Sequence, residues 1–508
     1  MANRATFSGV APSSGSGGGP GSSAEGRAAA MARTIDVLGD WAAGTGPLYR
    51  RLERALAGAV ERGDLAPGWR LPSERALAPA IAVSRGVVVA AYDRSVEQGT
   101  VARRPGSGTF VAAPAGGALP PGREGSRLVR RFVDRSQDRP AIDLSISVVA
   151  APLGVASVSV GTGDAAAGDE DLWGVPELRR RIASRLTAIG LASEAEEVVV
   201  TTGAQQGISI ACSSWLRPGD RVVVDDPTYP GVLSAIGVMG AVPVPVPVDA
   251  KGPVLAELEA ALDLQPALVY LQSGPHSPTG GRLSDHRRRT IARWLVERRI
   301  PCVEDHALFS VDWSGERPLV PLAARIPDHP VAVVGSYSKR FWAGLRVGFL
   351  RAPRPVAQRL ARVKATHDLG SSTVSQAMAL RLLDHRNHDR SIARRNEELA
   401  RRAALLVDLL GSQLPSWRCE VPTGGLSLWV QLPAPVAARF ADAALRHGVA
   451  VATAEGLSAR PDAHRDRLRL TFALPEADLR AAVARLAAAW SEVPIWPGPI
   501  TRERPTLV

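Results

Sequence analysis

Cysteine is scarce in this chain: only three residues of 508, Cys212, Cys302 and Cys419, carry a thiol. They lie far apart, are odd in number and form no CxxC or Cys/His cluster, which excludes a disulfide framework and a zinc site. We therefore predict no metal centre and three small, buried thiols in a reducing cytoplasm.

Long hydrophobic runs are also missing. No apolar stretch reaches the ~18 residues of a membrane-spanning helix, and the N-terminus lacks the basic start and apolar stretch of a secretion signal. The chain is therefore expected to be cytoplasmic and without a membrane partner. It does carry positive charge, because 61 Lys and Arg face 50 Asp and Glu, a formal net charge of +11. This balance favours polyanionic partners, although an arginine-rich composition alone gives the same number.

Composition divides the chain into four parts. Residues 1–40 are rich in Ser, Gly, Ala and Pro, which bury too little apolar surface to order a chain, so we predict a disordered tail. Residues 41–111 form a compact unit, and residues 112–140, with Pro, Gly and scattered charge, form a linker. Residues 141–508 alternate helical patterns with short apolar segments. That rhythm is typical of an α/β domain with a mostly parallel sheet and a smaller C-terminal α+β lobe.

Residues 41–111 have the pattern of a winged helix-turn-helix. The apolar residues of Leu48–Arg62 fall on one helical stripe. A second helix follows, capped by Ser73, and a turn through Ser84 leads into a third. The alternating residues Thr100–Val111, interrupted by PGSG, predict a β-hairpin wing with Arg103 and Arg104 at its base.

These residues resemble the winged-helix domain of the GntR family of bacterial transcription regulators. The matching pieces, in order, are LY, GDLAPGWRLPSERALA, VSR, AY and RRPGSGTFV. The resemblance implies a double-stranded DNA partner, with the helix after Ser84 in the major groove. It implies DNA contacts from Arg75, Ser84, Arg85, Gly86, Val87, Arg104 and Gly106. Relatives often have Thr where Gly86 stands. The alternatives are a winged helix used for protein contacts alone, and a solvated hairpin face for the paired arginines.

A second set of residues follows the predicted strands of the large domain. Lys339 lies at a strand end, where an amine can condense with an aldehyde, and Arg346 follows with a fork suited to phosphate. Thr201–Gln206 passes from strand into helix, whose free amides also suit a phosphate. Tyr229 follows another strand, where its ring can stack on a heterocycle. Asp305 ends a further strand, where a carboxylate can keep a pyridinium nitrogen protonated.

Together these motifs resemble fold-type I, pyridoxal-phosphate-dependent enzymes of the class I aminotransferase kind. The matching segments are GVPELRRRIA, TTGAQQ, DPTYPG, PHSPTGG, VED, SYSK, PTGGLSLWV and RLRLTFA. The resemblance implies a Schiff base between Lys339 and pyridoxal 5'-phosphate, Asp305 at the ring nitrogen and Tyr229 stacked on the ring. It implies a carboxylate clamp at Arg469. It also implies further cofactor contacts from Gly203, Ala204, Gln205, Ser277, Ser336, Ser338 and Arg346.

Two positions depart from that family. Relatives usually have Asn or Gln where Ser277 stands, and a Tyr just after the aspartate, where this chain has His306–Leu308. Those two side chains normally contact the cofactor's phenolic oxygen, so their absence argues against efficient transamination. His276 or His306 is either a substitute or a structural histidine. Taken singly, Arg469 has a plainer alternative too, as a partner of Asp466 or a residue on an exposed strand face.

A winged helix, a linker and an aminotransferase-like domain make up the layout of the MocR subgroup of GntR regulators, which this chain resembles. The resemblance implies a homodimeric transcription regulator that binds pyridoxal phosphate and answers to a small amino compound. One alternative is an active aminotransferase with an attached DNA-binding domain. Another is a regulator whose large domain has lost the cofactor and serves only for dimerisation.

Overall fold

The computed structural model describes residues 31, 33–39, 41–42, 46–61, 64–65, 69–98, 100–104, 108–112, 141–149, 158–161, 163, 172–315, 320–460 and 463–493. Contacts divide the chain into two compact units, Met1–Glu124 and Gly125–Val508. The linker proposed at 112–140 lies outside the described residues except for Ala112.

The smaller unit is a three-helix domain with a two-stranded wing. Its helices are α1 (Leu48–Glu61), α2 (Glu74–Ala80) and α3 (Arg85–Glu97), and its strands are β1 (Val101–Arg104) and β2 (Gly108–Val111). Leu52, Leu56 and Ala59 of the predicted stripe are fully buried in the core, whereas Leu48 at the helix start is exposed. Ser73 caps α2 by accepting a hydrogen bond from the Ala76 amide at 3.3 Å, as the sequence predicted.

The prediction of a disordered tail over 1–40 is wrong for residues 33–38, which are helical. Thr34 and Leu38 are buried, and Ile35 and Val37 pack against the same core as α1. The apolar residues at the end of the tail therefore have a surface to cover, which its low-complexity composition conceals. Most of the rest of the tail lies outside the described residues.

The larger unit is built on a mixed eight-stranded sheet. After β3 (Ile142–Asp143), its strands are β4 (Val198–Thr201), β5 (Arg221–Asp226), β6 (Val242–Asp249), β7 (Gly252–Pro253), β8 (Leu268–Gln272), β9 (Cys302–Asp305), β10 (Val331–Ser336) and β11 (Gly348–Arg351). The spatial order is β4-β11-β10-β9-β8-β5-β6-β7. Strands β6, β5, β8, β9 and β10 pair in parallel, and β11 runs antiparallel between β10 and β4. The predicted mostly parallel sheet is confirmed.

Strand β6 is one element that the sequence did not predict. Its sequence, VPVPVPVD, carries a proline at every second position. Because side chains and backbone groups alternate along a strand, the three missing amides all fall on one side of β6. The valine amides on the other side remain free to pair with β5, beside which β6 lies in parallel. Proline-rich sequence is therefore tolerated here near the sheet edge.

Helices cover both faces of the sheet, with one apolar core on each side. In chain order the helices of the larger unit are α4 (Pro176–Ala188), α5 (Ala204–Trp215), α6 (Pro230–Val238), α7 (Leu255–Asp263), α8 (Asp285–Arg298), α9 (Tyr337–Arg340), α10 (Arg354–His367), α11 (Thr373–Asp384), α12 (His388–Gln413), α13 (Ala437–Arg446) and α14 (Glu476–Ser491). Helix α9 has only four residues and directly follows β10. It brings Lys339 to the carboxyl edge of the sheet.

The C-terminal residues form the smaller α+β lobe that the sequence predicted. Its three-stranded sheet has the order β12-β15-β14, from β12 (Ser427–Gln431), β14 (Ala452–Thr453) and β15 (Arg467–Thr471). Strand β13 (Val449–Ala450) pairs in parallel with β3, so the first strand of the larger unit belongs to this lobe. Helices α12, α13 and α14 pack with these strands in one core.

Three expected absences concern the described residues. Cys212 and Cys302 are buried and Cys419 is partly buried, and all three are free thiols. Among the described side chains, no group of three or more His, Cys, Asp or Glu is arranged to hold a metal ion. No described helix is both long and apolar enough to cross a membrane.

Candidate functional site

Lys339 lies at the carboxyl edge of the sheet, where β10 passes into α9. Its side chain is partly buried, and its Nζ donates a hydrogen bond to the Ser147 carbonyl. Burial, with the positive charges of Arg469 and Arg346 nearby, lowers the pKa of Lys339 from 10.5 to about 8. A larger fraction of this amine is therefore unprotonated at neutral pH than of an ordinary lysine, which makes it a nucleophile for carbonyl carbon.

Asp305 ends β9, next to β10, and is buried. Its Oδ2 accepts a hydrogen bond from the Tyr270 hydroxyl at 2.6 Å, and its Oδ1 accepts one from the Ala307 amide at 2.7 Å. Burial raises the pKa of the Asp305 carboxyl, while these two hydrogen bonds and the charge of Lys339 oppose the rise. The result is a fixed carboxylate that can face a protonated ring nitrogen.

Tyr270 is a site residue that sequence reasoning missed. It lies in the middle of β8, is fully buried and orients Asp305 from the neighbouring strand. Burial and the charge of Asp305 hold the pKa of Tyr270 well above 10, so the phenol remains a donor. The available signal was a hydroxyl inside the apolar strand ALVYLQ, because a buried tyrosine hydroxyl needs a partner.

An anion cradle forms where β4 passes into α5. Gly203 stands at the N-cap of α5 with φ +124°, and no side chain caps this helix end. A methyl group placed on Gly203 would lie 3.1 Å from Nη2 of Arg346, so the guanidinium lies directly against the glycine backbone. The amides of Ala204 and Gln205 belong to the first turn, where intrahelical partners are lacking. A guanidinium beside a helix N-terminus suits a phosphate group.

Tyr229 lies just before α6. Because Gly231 has no side chain, the Tyr229 ring and the Gln205 amide fit into the space beside it. A Cβ atom on Gly231 would lie 1.9 Å from Oε1 of Gln205 and 2.3 Å from Cε1 of Tyr229. Gln205 in turn donates from Nε2 to the Gly231 carbonyl at 3.0 Å. Any larger residue at position 231 would displace the ring or the amide, so Gly231 is a second site residue that the sequence did not reveal. Burial raises the pKa of Tyr229 to about 12.

Arg469 is buried on β15, with 3% of its surface exposed, so the alternative of an exposed strand residue is wrong. Asp466 is occupied elsewhere, since it accepts a hydrogen bond from Gln431 and lies beside Arg467. Arg469 instead donates from Nη2 to the Ser145 carbonyl at 2.5 Å. Burial lowers its pKa to about 10, which leaves it fully charged at neutral pH.

Several buried polar atoms of this region have no hydrogen-bond partner among the described residues. They are Nε of Arg469, Oγ of Ser147, Oγ of Ser338 and Oε1 of Gln205. Such atoms are costly unless a ligand satisfies them. A small molecule with an aldehyde, a phosphate and a carboxylate would meet an amine, a helix N-terminus with a guanidinium, and a second guanidinium.

The remaining predicted cofactor contacts are less directly placed. Ser336 is the partly buried N-cap of α9. The backbone of Ser277 is held by Gln272, which bonds its amide at 3.0 Å and its carbonyl at 2.9 Å.

His306 lies 3.0 Å from Glu304 and stacks on Phe309 at 3.6 Å between ring centroids. These partners favour the structural interpretation of His306.

His276 is also engaged within the larger unit. Its Nδ1 is 2.9 Å from the Thr279 hydroxyl, and its Nε2 is 3.5 Å from Asp225. The side chain is buried. These contacts favour a structural role over replacement of the missing amide at position 277.

In the smaller unit, four predicted DNA contacts, Ser84 to Val87, lie at the start of α3, and Arg75 lies in the first turn of α2. Arg75, Ser84, Arg85 and Gly86 are exposed and Val87 is partly buried. Ser84 is the N-cap of α3, although its side chain makes no capping hydrogen bond. A hydroxyl and two arginines therefore remain directed to solvent on this unit, as a surface that reads DNA requires.

The prediction that Arg103 and Arg104 lie at the base of the wing is wrong. Arg104 pairs with Gly108 directly beside residues 105–107, so the pair lies at the turn of the hairpin rather than at its base. Arg103 bonds Asp93 at 2.6 Å and Glu74 at 3.3 Å, which ties the wing to α3 and α2. Gly106 lies outside the described residues, and its contact with DNA stays a prediction.

Both units match known families. Residues 48–111 match the model of bacterial regulatory proteins of the gntR family, and residues 160–486 match the model of aminotransferase class I and II. The transcriptional regulator TauR of Rhodobacter capsulatus is 30% identical over 491 residues, with 88% of this chain and 97% of TauR covered. The pyridoxine biosynthesis transcriptional regulator PdxR of Corynebacterium glutamicum is 30% identical over 386 residues, with 74% of this chain and 81% of PdxR covered.

A solved structure shares the fold of the larger unit. The α-aminoadipate aminotransferase LysN of Thermus thermophilus, crystallised with N-(5'-phosphopyridoxyl)-L-leucine, superimposes with a TM-score of 0.63 at 26% identity. The alignment covers 73% of this chain and 96% of LysN. The larger unit thus has the fold of an aminotransferase, and the DNA-binding domain precedes it in sequence.

Proposed function

Because the chain belongs to the MocR subgroup of GntR-family transcription regulators, we propose that its aminotransferase-like unit is the sensor of a DNA-binding regulator. The unit binds pyridoxal 5'-phosphate at Lys339 and then a small amino compound. The proposal rests on one observation: Lys339, Asp305 and Arg346 lie at one edge of the sheet. The pKa of the Lys339 amine there is lowered to about 8.

Each part of the cofactor has a matching group on the chain. Pyridoxal phosphate supplies an aldehyde that forms a Schiff base with an amine, a pyridine ring and a phosphate. Asp305, held by Tyr270, would accept a hydrogen bond from the protonated ring nitrogen. Tyr229 covers a ring face, and Arg346 with the amides of α5 binds the phosphate.

Arg469 indicates the kind of amino compound. It is buried, charged and short of one acceptor at Nε. A guanidinium in that state binds a carboxylate well, since both groups are charged and the pair forms two parallel hydrogen bonds. The proposed effector therefore carries an amine for exchange with Lys339 and a carboxylate for Arg469.

Two positions differ from the residues with which relatives contact the cofactor's phenolic oxygen. These differences favour a sensor over an aminotransferase. Ser277 is too short to replace an asparagine or glutamine amide, and Gln272 holds its backbone. Leu308, in the stretch His306–Leu308 where relatives have a tyrosine, packs against the core of the C-terminal lobe. Neither residue can tune the pKa of a bound cofactor as an enzyme requires. Proton transfer after amine exchange should consequently be slow.

Two assays on the purified full chain test the proposal together. Operator affinity is measured with and without pyridoxal phosphate, and again with a panel of amino acids. We expect pyridoxal phosphate or an amino acid to change the affinity by roughly 5- to 150-fold, the usual range of coupling between two sites. Amino-group transfer to a keto acid is measured in parallel. Turnover at about 1 s⁻¹ or faster, within the ordinary range for enzymes, would instead support the aminotransferase alternative.

We further propose a homodimer, in which two winged helices meet paired half-sites on DNA. Sizing with light scattering on the full chain tests this stoichiometry. A mass of one chain at micromolar concentration would contradict it.

Arg85→Ala should weaken specific operator binding by roughly 1–3 kcal/mol, because an exposed arginine at the start of α3 is placed to read a base. Arg85→Lys is the matched control, since it keeps the charge and loses the planar fork. If Arg85 reads a base, both variants lose specific affinity and keep most non-specific affinity in gel-shift titrations. If Arg85 only touches phosphate, Arg85→Lys behaves as the wild type.

A further inference from the structure

The larger unit contains a cavity of about 220 Å³ between α4 and the carboxyl end of β10. Gly335 of β10 borders it and shares a face of the sheet with Val333, because alternate residues of a strand point to the same side. Asp305 shares the opposite face with Val303. Of the predicted cofactor contacts in the described part of the chain, Ser336 alone borders the cavity. The cavity therefore lies on the other face of the sheet from the carboxylate of the candidate cofactor site.

Apolar side chains form the inner wall of this cavity. Ile182, Leu186 and Ile189 line it from one side of α4 and its end, since residues three or four positions apart share a face of a helix. Phe349 lines it from β11, and its ring lies over Gly335, where an added Cβ atom would be 2.2 Å from two ring carbons. Ile182 and Leu186 are buried. An aliphatic group against this wall is removed from water, which is favourable.

Two arginines lie at the more exposed end of the cavity. Arg185 is on the same side of α4 and Arg340 is in α9, and their side chains are 30% and 20% exposed. Arg340 donates from Nε to Nε2 of His388 at 3.0 Å. Burial and the positive charge of Arg340 lower the pKa of His388 to about 3, so this ring is a neutral acceptor. The histidine therefore supplies no negative charge to balance either guanidinium.

The positive charge of this pair is only weakly balanced within the chain. Burial and the like charge of Arg185 lower the pKa of Arg340 to about 10, which leaves Arg340 charged at neutral pH. Oδ1 of Asp389 lies 3.7 Å from Nη1 of Arg185 and 3.8 Å from Nη2 of Arg340, beyond hydrogen-bond distance, and its side chain is 86% exposed. Among the described residues, no Asp or Glu side chain lines the cavity. A negative group between the two arginines would meet two charged donors with little competition.

We propose that this cavity, the arginine cavity, binds a small monocarboxylate with a short aliphatic chain. The carboxylate lies between Arg185 and Arg340, and the aliphatic chain lies against the apolar wall of α4. A guanidinium binds a planar carboxylate through two parallel hydrogen bonds, and Nε of Arg185 is a buried donor without a hydrogen-bond partner in the described structure. The volume is below the ~300–1,000 Å³ of sites for drug-sized ligands, so the ligand is small. The arginine cavity is independent of the proposed function, because neither arginine is assigned to pyridoxal phosphate or to the amino compound.

Calorimetric titration of the full chain with sodium butanoate, butanamide and inorganic phosphate tests the ligand class. Butanamide has nearly the shape of butanoate and no charge, so it should bind at least roughly tenfold more weakly. Phosphate has the charge but cannot use the apolar wall, so it should also bind more weakly than butanoate. Absence of butanoate binding, equal binding of butanamide or tighter binding of phosphate would each overturn the proposal.

Arg185→Gln should weaken butanoate binding by roughly 10- to 150-fold, the factor that a hydrogen bond to a charged group is worth. Arg181→Gln is the matched control, because Arg181 lies one turn earlier on α4, pairs with Asp384 and does not line the cavity. The control should bind butanoate as the wild type does. Equal affinities of the two variants would contradict the site. A fall in mass from two chains to one in Arg185→Gln alone would also overturn it, because the arginines would then belong to a subunit contact.

Isoleucine methyl resonances locate the bound carboxylate, which is necessary because Arg469 also offers a guanidinium to such a group. In the full chain labelled with carbon-13 at the isoleucine δ1 methyl groups, butanoate should shift the resonances of Ile182 and Ile189. Ile210 and Ile236 lie in the core on the other face of the sheet and should keep theirs. Binding that leaves Ile182 and Ile189 unmoved would place the carboxylate elsewhere, which refutes the arginine cavity and leaves the proposed function standing.

Discussion

Replacing Lys339 by methionine is expected to abolish the dependence of operator affinity on pyridoxal phosphate. The wild type should change by roughly 5- to 150-fold on adding the cofactor, and Lys339→Met should not change at all. The reason is that Lys339 offers a partly buried amine with a pKa of about 8 at the sheet edge where Asp305 and Arg346 lie. The measurement is a gel-shift or anisotropy titration at fixed salt, because salt alone shifts DNA affinity.

The same titration with Lys251→Met and Lys364→Met provides the controls. Lys251 is exposed, and Lys364 is buried in an ion pair with Asp368. Both variants should keep the cofactor response of the wild type. A Lys339→Met protein that still responds to pyridoxal phosphate would place the sensor elsewhere in the molecule.

Replacing Glu304 by glutamine is expected to lower the free energy of unfolding of the larger unit by about 3 kcal/mol. Glu304 is fully buried beside Asp305. Its carboxylate accepts hydrogen bonds from Ser273 at 2.5 Å and from the amides of Leu322 and Ala323 at 2.7 and 2.9 Å. Although burial by itself favours the neutral acid, its neighbours His306 and Arg288 and the hydrogen bond from Ser273 hold the pKa of Glu304 at about 2. A drop of two to three pKa units is worth about 3 kcal/mol.

The pH dependence follows from the direction of that shift. The pKa is lower in the folded state than in the unfolded state, so the stabilisation is complete above pH 4.5. It is lost as pH falls towards about 2. Urea unfolding of the larger unit, followed by pulse proteolysis at pH 7 and pH 4, measures both effects. Glu297→Gln is the matched control, because Glu297 is exposed in a helical pair with Arg293 and such pairs contribute about 0.3–0.5 kcal/mol. Equal stability of Glu304→Gln and wild type would refute the buried-charge account.

The sequence predicted those parts of the site that follow from local pattern. Lys339, Asp305 and Tyr229 each come after an apolar segment of strand length, and parallel strands bring their carboxyl ends to one edge. The position of each residue after its strand was therefore enough to predict that the three lie near one another. The two-unit division and the winged helix were predictable for the same reason, because helical stripes, caps and turns are encoded within a few residues of each other.

The missed features depend on contacts between distant residues. Tyr270 orients Asp305 from the next strand, 35 residues away along the chain. Gly231 matters because the Gln205 amide and the Tyr229 ring occupy the space of a side chain. The carbonyls of Ser147 and Ser145 accept hydrogen bonds from Lys339 and Arg469, which lie 192 and 324 residues further along the sequence. No periodicity or motif records such pairings, since backbone carbonyls are the same in every residue.

The most direct test of the central claim is to trap the cofactor on its lysine. The chain has only three lysines, Lys251, Lys339 and Lys364, so reduction with borohydride followed by peptide mapping gives an unambiguous answer. We predict a phosphopyridoxyl group on Lys339 alone at equimolar cofactor, with a labelling rate that rises with pH to a midpoint of about 8. Label distributed to exposed Lys251, or absent from Lys339 while the protein binds its operator normally, would contradict the account.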